Sequence, residues 1–212
     1  MLESTGTPPS RKGRATRERL LGFAEQAVLE KGFAATSIEE LIAAAGITKS
    51  GFFYHFKDKG ELARALIERY LESDRQVLDD IFRRGDALHD DPLHRFLAGL
   101  KLFAEMLAAL PETHPGYLAA SFTYQDQLFN REIRALNAEG IRAWRARFRI
   151  RLGEIAERYP PRADVDLDAL ADMASARVEG GLVRERALRE PQITAGQIVL
   201  YRDYVRLIFA PA

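Results

Sequence analysis

Residues 36–61, TSIEELIAAAGITKSGFFYHFKDKGE, constrain the fold of this chain more than any other stretch. Ser37 followed three residues later by Glu40 is the pattern of a helix N-terminus, and Gly46 is the residue type that ends such a helix. Thr48 can then cap a second short helix. Two short helices joined by a tight turn predict a helix-turn-helix, whose second helix enters the DNA major groove.

The second helix of this motif has an apolar side and an outward side. Ile47, Phe52 and Phe56 form the apolar side, which is expected to hold the helix against the rest of the domain. The outward side presents side chains that suit a groove about 12 Å wide. These outward residues are Lys49, Ser50, Phe53, Tyr54 and His55.

Residues 14–62 resemble the DNA-binding signature of the tetracycline-repressor (TetR) family of bacterial transcription regulators. In that family the second helix usually reads as a hydroxyl residue, a Lys or Arg, a Gly, a small polar residue and then Leu-Tyr-x-His/Tyr-Phe. The corresponding residues here are Thr48, Lys49, Ser50, Gly51, Phe52, Phe53, Tyr54, His55 and Phe56. Phe53 stands where a phosphate-binding Tyr is common, and Ser50-Gly51 reverses the usual order. The resemblance therefore implies DNA binding but not the operator sequence.

The expected DNA contacts lie in and around this second helix. Lys49 is expected to reach a base edge or an adjacent phosphate, because it leads the helix. Contacts to phosphates set the register without reading sequence, and the residues expected to make them are Thr36, Thr48, Tyr54, His55 and Lys59. By resemblance, Ser50, Gly51 and Phe53 complete the contact positions of the motif. For Tyr54 and His55 the alternative is packing against the following helix.

Charge is distributed unevenly along a chain whose formal net charge is zero. Residues 11–19, RKGRATRER, carry five cations against the single acid Glu18, whereas residues 61–212 carry 22 Lys and Arg against 24 Asp and Glu. DNA binding requires basic groups near the reading helix. Arg14 and Arg17 are therefore expected to add backbone or minor-groove contacts, the alternative being an ordinary solvated tail.

The remaining periodicity is helical, so the predicted fold class is all-α: a three-helix DNA-binding domain followed by a larger helical domain. We expect a disordered leader over residues 1–13, the DNA-binding domain over 14–60 and an effector-binding and dimerisation domain over 61–212. The expected helices run from Ala15 to Lys31, from Asp58 to Gly85, from Pro92 to Pro111, from Leu118 to Tyr159, from about Asp164, and from a cap at Thr194 to the end.

Composition narrows the class of protein further. The chain has no cysteine, no apolar window near the 18 to 20 residues of a membrane span and no signal-peptide core, which favours a cytoplasmic protein. No catalytic motif occurs, and His89 and His94 are five positions apart, a poor spacing for metal ligands on a helix. We expect no catalytic residues, no metal and no cofactor.

The resemblance implies a cavity for a small-molecule effector in the larger domain. The aromatic-rich set around the break at residues 111–116 supplies the expected lining, namely Phe103, Met106, Tyr117, Phe122, Tyr124, Phe129 and Trp144, although each is individually more often a core residue. The arginines at 142, 145, 147, 149 and 151 indicate a solvated face, with the possibility that one turns inward to hold a carboxylate effector.

The last two helices are expected to form a homodimer. One carries small residues and the other a broad apolar stripe, and a two-fold pair would place two reading helices about 34 to 36 Å apart on a palindromic operator. The small residues are Ala171, Ala174, Ala176, Gly180 and Gly181. The expected function is an effector-released repressor. The alternatives are an activator, a co-repressor-dependent regulator, an architectural DNA binder and an all-helical enzyme.

Overall fold

The computed structural model describes residues 11–110 and 116–209, and within them the chain forms nine α-helices and a short 3₁₀ turn without any strand. The all-α prediction is therefore confirmed. The helices are α1 (Arg11–Lys31), α2 (Ile38–Ala45), α3 (Lys49–His55), α4 (Lys59–Asp86), α5 (Pro92–Ala108), α6 (Gly116–Tyr124), α7 (Arg131–Arg158), α8 (Leu167–Leu188) and α9 (Ile193–Phe209). Among these helices none is both long enough and apolar enough to cross a membrane.

The N-terminal helices begin and end where capping chemistry places them. The Ser37 side chain accepts a hydrogen bond from the Glu40 amide at 3.2 Å, which satisfies one free N–H of α2. Gly46 ends α2 in the left-handed region at φ 63°, and Gly32 follows α1 at φ 83°. Both positions favour glycine because a Cβ is strained at positive φ.

Several expected helix boundaries were wrong. Helix α1 begins at Arg11, so residues 11–13 are helical and do not belong to a disordered leader, while residues 1–10 lie outside the described part. The stretch expected as one helix from 118 to 159 is two, because Asn130 caps α7 by accepting from the Ile133 amide. Thr194 is buried inside α9 and does not cap it.

Two clusters of buried side chains make up the interior. The N-terminal core combines α1–α3 and the start of α4 with residues of α6, the following turn and α7, where Phe33 packs against Phe122 and Phe129 at ring-centroid distances of 5.5 and 5.0 Å. The C-terminal core combines the later part of α4 with α5, α7, α8 and α9. Helix α4 contributes Leu66 to the first core and Leu78 to the second. It therefore links the two cores mechanically.

Two glycines allow helices of the C-terminal core to touch. A Cβ at Gly85 would lie 2.7 Å from the Arg95 carbonyl oxygen on α5, and one at Gly181 would lie 2.7 Å from the Thr194 Cα on α9. Gly85 was expected to end α4, but it lies within the helix and marks its crossing with α5. Close approach of two backbones is the reason for glycine at both positions.

Candidate nucleic-acid interface and ligand cavity

Helix α3 is held to the N-terminal core by its aromatic side. Phe52 and Phe56 are fully buried, with ring centroids 5.7 Å apart. The Thr48 hydroxyl caps the helix by accepting from the Gly51 amide at 3.1 Å. Arg19 on α1 also donates to the Ala45 carbonyl at 2.9 Å, which ties α1 to the motif. The short helix is therefore positioned by tertiary packing, as a seven-residue helix must be.

The opposite side of α3 is open to solvent. Lys49 and Ser50 are exposed at its first turn, and Phe53 and Tyr54 are 43% and 73% exposed. The Ser50 hydroxyl lies 3.0 Å from that of Thr48, so the two hydroxyls form one polar group at the start of the helix. The outward face expected from the sequence is confirmed for these residues, and packing of Tyr54 against α4 is excluded by its exposure.

His55 and Arg17 extend this face toward α1. The Arg17 guanidinium lies 5.0 Å from the centre of the Phe56 ring, and the His55 ring meets that of Tyr54 at 5.0 Å. Partial burial and then the charge of Arg17 lower the pKa of His55. His55 is therefore neutral near pH 7 and can donate one hydrogen bond without carrying a charge. Arg14 is exposed on the same helix.

Thr36 is placed differently from the prediction. Its side chain is 2% exposed, and its hydroxyl donates to the Gly32 carbonyl at 3.0 Å. The prediction that this side chain contacts a phosphate was therefore wrong, because the hydroxyl is buried and already donates a hydrogen bond within the protein. It stabilises the turn between α1 and α2 instead.

Two lysines flank the end of the motif. The Lys59 ammonium donates to the Ala34 carbonyl at 3.3 Å and lies 4.6 Å from the centre of the Phe33 ring, and burial lowers its pKa. Lys57, which sequence reasoning missed, is exposed and makes no ion pair with any residue that the structure describes. Its place directly after Phe56 was the available signal. Lys59 is thus engaged in the fold, whereas Lys57 is free to reach a phosphate.

A cavity of about 170 Å³ lies between the two cores. Helix α4 lines it with Tyr70, Asp74 and Val77, which are spaced at helical intervals. Leu71 and Ser73 of α4 also line it. The other described lining residues come from α5 and the residues just after it, and from α6 to α8, namely Phe103, Met106, Leu107, Leu110, Ala119, Asn137, Gly140, Ile141, Trp144, Ser175, Val178, Glu179 and Leu182. An engineered apolar cavity of about 150 Å³ holds a benzene molecule, so this space suits one ring.

Three of the seven expected lining residues reach the cavity: Phe103, Met106 and Trp144. Phe122 and Phe129 do not, because they pack against each other, ring centroids 4.6 Å apart, in the N-terminal core. Tyr124 is 70% exposed away from the cavity, and the Tyr117 side chain lies outside the described residues. Sequence reasoning missed the polar members, which are Tyr70, Ser73, Asp74, Asn137, Ser175 and Glu179.

The α7 arginines at 142, 145, 147, 149 and 151 do not line the cavity. Arg145 binds Asp172 at 2.6 Å, Arg147 binds Asp79 at 2.9 Å and Arg151 binds Asp86 at 2.8 Å. Arg149 lies 3.1 Å from Asp168, and Arg142 is exposed. An inward-turned arginine holding a carboxylate effector was therefore wrong, since these side chains bridge to neighbouring helices or face solvent.

The small residues of α8 divide into two sets. Ala171, Ala174 and Gly181 are buried within this chain, which matches ordinary core packing. Ala176 and Gly180 are exposed, and a Cβ added at Gly180 would meet nothing within 4 Å. Large apolar side chains are exposed beside them on α8 and α9: Val183, Val199, Leu200, Tyr204 and Leu207, each between 41% and 66% exposed. This apolar face has no partner among the residues that the structure describes.

Known proteins similar to this chain are transcriptional regulators, in agreement with its exposed helix-turn-helix. Residues 20–66 match the family described as "Bacterial regulatory proteins, tetR family". The chain is 27% identical to the transcriptional regulator AcuR of Cereibacter sphaeroides over 203 residues, 88% of this chain and 90% of AcuR. It is 32% identical to the transcriptional repressor NemR of Escherichia coli over 76 residues, which span only 38% of NemR.

Solved structures share the whole fold. A TetR transcriptional regulator from Chloroflexus aurantiacus is 28% identical, with a TM-score of 0.76 over 96% of this chain and 100% of that one. Reduced E. coli NemR, at 21% identity, superimposes with a TM-score of 0.73 over 93% of this chain and all of its own. With the exposed α3 face and the family match over its helix-turn-helix, these likenesses identify the chain as a member of the TetR family of transcriptional regulators.

Proposed function

We propose that this DNA-binding regulator is a cytoplasmic homodimeric repressor that a small-molecule effector releases from a palindromic operator. The observation that carries the proposal is the course of α4, which begins beside the reading helix and lines the cavity with Tyr70, Asp74 and Val77. One rigid element thus borders both the DNA-binding unit and a space that a ligand can fill. The repressor assignment draws on NemR of E. coli and BepR of Brucella suis, both named transcriptional repressors.

The DNA contacts are assigned to side chains of the helix-turn-helix that are open to solvent. Lys49 leads α3 and is exposed without an ion pair to any described residue, so we assign it to a base edge or adjacent phosphate. Ser50, Gly51 and Phe53 follow it into the groove. Thr48, Tyr54, His55 and Lys57 are assigned to phosphates, and Arg14 and Arg17 to the backbone beside α1.

The dimer is assigned to the exposed apolar face of α8 and α9. Leu200, Tyr204 and Leu207 recur along α9 at helical spacing, and Gly180 lets a second backbone approach α8. An interface formed by this face around a two-fold axis is self-complementary, because both protomers contribute the same surface. Such a dimer presents its two reading helices to successive major grooves.

Effector control follows from differential binding. A ligand can shift the dimer only by binding one arrangement of α4 more tightly than another. Leu71 on α4 fits against α7, where a Cβ at Gly140 would lie 2.3 Å from the Leu71 Cδ2 atom. Filling the adjacent cavity would press on this contact and move α4, together with the helix-turn-helix packed on its start.

A gel shift with DNA taken from beside the gene tests the proposal. We expect a specific complex whose affinity falls steeply with salt, and loss of that complex for Lys49→Ala. Lys101→Ala is the matched control, since Lys101 is exposed on α5 far along the chain from the motif. Absence of a salt-sensitive specific complex would contradict operator binding, and a complex that tightens with every bound ligand would reverse the sign of control.

A further inference from the structure

The cavity between the cores contains acidic groups and no basic ones. Its described lining includes the carboxylates of Asp74 and Glu179, and no Lys, Arg or His is among it. An anion entering this space would meet two like charges without a counter-charge among the described lining residues. The electrostatic character of the cavity therefore opposes a carboxylate or phosphate ligand.

Asp74 is only partly compensated within the protein. The Trp144 indole N–H donates to its carboxylate at 2.5 Å. Burial raises the pKa of Asp74, opposed by this hydrogen bond and by the charge of Arg147. Arg147 is itself bound to Asp79 at 2.9 Å. The carboxylate thus retains acceptor capacity that no described residue fills.

Tyr70 adds a third polar group to the wall of the cavity. Its side chain is half-buried and lines the cavity, and its hydroxyl forms no hydrogen bond with any residue in the described part of the chain. Burial and then the charges of Asp74 and Glu179 raise its pKa, so both carboxylates lie near this hydroxyl. The hydroxyl can both donate and accept a hydrogen bond, so a ligand in the cavity can bond to it without displacing a contact within the described residues.

Glu179 lies where the cavity meets solvent. Its side chain is exposed, makes no ion pair with a described residue, and has a pKa raised by partial burial. The remaining walls are apolar and include Phe103, Met106 and Leu182. The cavity thus combines a ring-sized apolar interior with three oxygen acceptors, and a primary ammonium has three donors.

We infer that the cavity binds a small organic cation, a molecule with one ring that packs among the apolar walls and an amine that donates to Asp74, Glu179 and Tyr70. This inference rests on the proposed effector site and specifies the charge of its ligand. A protonated amine forms charge-assisted hydrogen bonds with both carboxylates and also donates to the Tyr70 hydroxyl.

Three probes of similar size and different charge test the inference: phenethylamine, 2-phenylethanol and phenylacetate. Thermal shift and calorimetry on the full chain at pH 7 should rank the cation first, with binding about tenfold tighter than that of the alcohol. Glu179→Gln and Asp74→Asn preserve shape while removing one charge, and each should weaken amine binding by about five- to tenfold. Glu157→Gln, an exposed α7 carboxylate outside the cavity, should leave binding unchanged.

Equal or tighter binding of phenylacetate, absence of binding by all three probes, or no effect of both charge-removing variants would overturn the inference. The same probes added to the operator complex separate it from the proposed function. If phenethylamine binds but the DNA complex persists, the ligand class stands and effector release fails. If phenylacetate binds and releases DNA, effector release stands and the inferred ligand class fails.

Discussion

The two cores of this chain differ in what they leave open. The N-terminal core is tightly packed beneath α3, where Phe52 and Phe56 are fully buried, and its functional groups point outward from that helix. The C-terminal core borders a cavity of about 170 Å³ with Asp74 and Glu179 among its lining residues. A surface that reads DNA needs a rigid support, whereas a site that responds to a ligand needs interior space. The same helix, α4, borders both.

The largest effect is expected at Phe52. Replacing this fully buried ring by Ala should cost about 3 to 5 kcal/mol of unfolding free energy and abolish operator binding, because the cavity left behind removes the support of α3. Denaturant unfolding and gel shift measure the two effects. Phe53→Ala is the control: with 43% of its side chain exposed, it should change stability by no more than about 0.5 kcal/mol. Equal losses of unfolding free energy in the two variants would contradict a tightly packed core beneath α3.

Adjacent glycines on α8 test the C-terminal half. Gly181→Ala should cost about 1 to 3 kcal/mol, because its Cβ would lie 2.7 Å from the Thr194 Cα and force α8 and α9 apart. Gly180→Ala should stabilise the isolated chain by up to about 1 kcal/mol through helix propensity, since its Cβ would meet nothing within 4 Å.

Unfolding experiments give the stabilities of the two glycine variants, and sedimentation gives their association. A dimer weakened by Gly180→Ala, without loss of monomer stability, would support the proposed α8 and α9 interface. A destabilised Gly180→Ala monomer would contradict the exposed position of that residue.

Lys57 and Lys59 separate reading from support within the N-terminal half. Lys57→Ala should make the slope of log affinity against log salt less negative by about 0.9, because an exposed cation is lost from a phosphate. Lys59→Ala was expected to act in the same way. Its ammonium bonds the Ala34 carbonyl at 3.3 Å, so we now expect a loss of stability with a smaller change in slope. Measuring operator affinity of both variants over a range of salt concentrations gives the two slopes. Equal changes in slope would support the original expectation that Lys59 contacts a phosphate.

His55 provides the smallest effect. The pKa of its folded form lies below the ordinary value of about 6.5. Below that pH the unfolded chain binds more protons than the folded one, so stability falls as pH decreases through the folded pKa. The drop in melting temperature between pH 7.5 and 5 should therefore be smaller for His55→Gln than for the unmodified chain. Identical drops would contradict the assigned pKa direction.

The helix-turn-helix could be predicted from the sequence because its determinants are local. Ser37 and Glu40, like Thr48 and Gly51, form their capping contacts three residues apart. The phosphate contact predicted for Thr36 was wrong because of another local contact. Its hydroxyl donates a hydrogen bond to the Gly32 carbonyl and does not face solvent.

The cavity could not be predicted in the same way, since its polar residues meet only after the helices pack. Asp74 on α4 and Glu179 on α8 share no local pattern. Aromatic density was a misleading signal, because Phe122 and Phe129 fill the N-terminal core beside Phe33. A chain segment rich in rings indicates burial, and the tertiary arrangement decides in which core.

The packing of Phe33 against Phe122 and Phe129 also bears on how such regulators can be recombined. A fragment ending near residue 60 would lack both of these rings and the first turns of α4, so its core would be exposed to water on one side. A chimera that grafts this helix-turn-helix onto another sensor would need to carry the α6 surface with it. The segments that must be transferred together are thus distant in sequence. The DNA-binding and ligand-binding halves are also expected to unfold together.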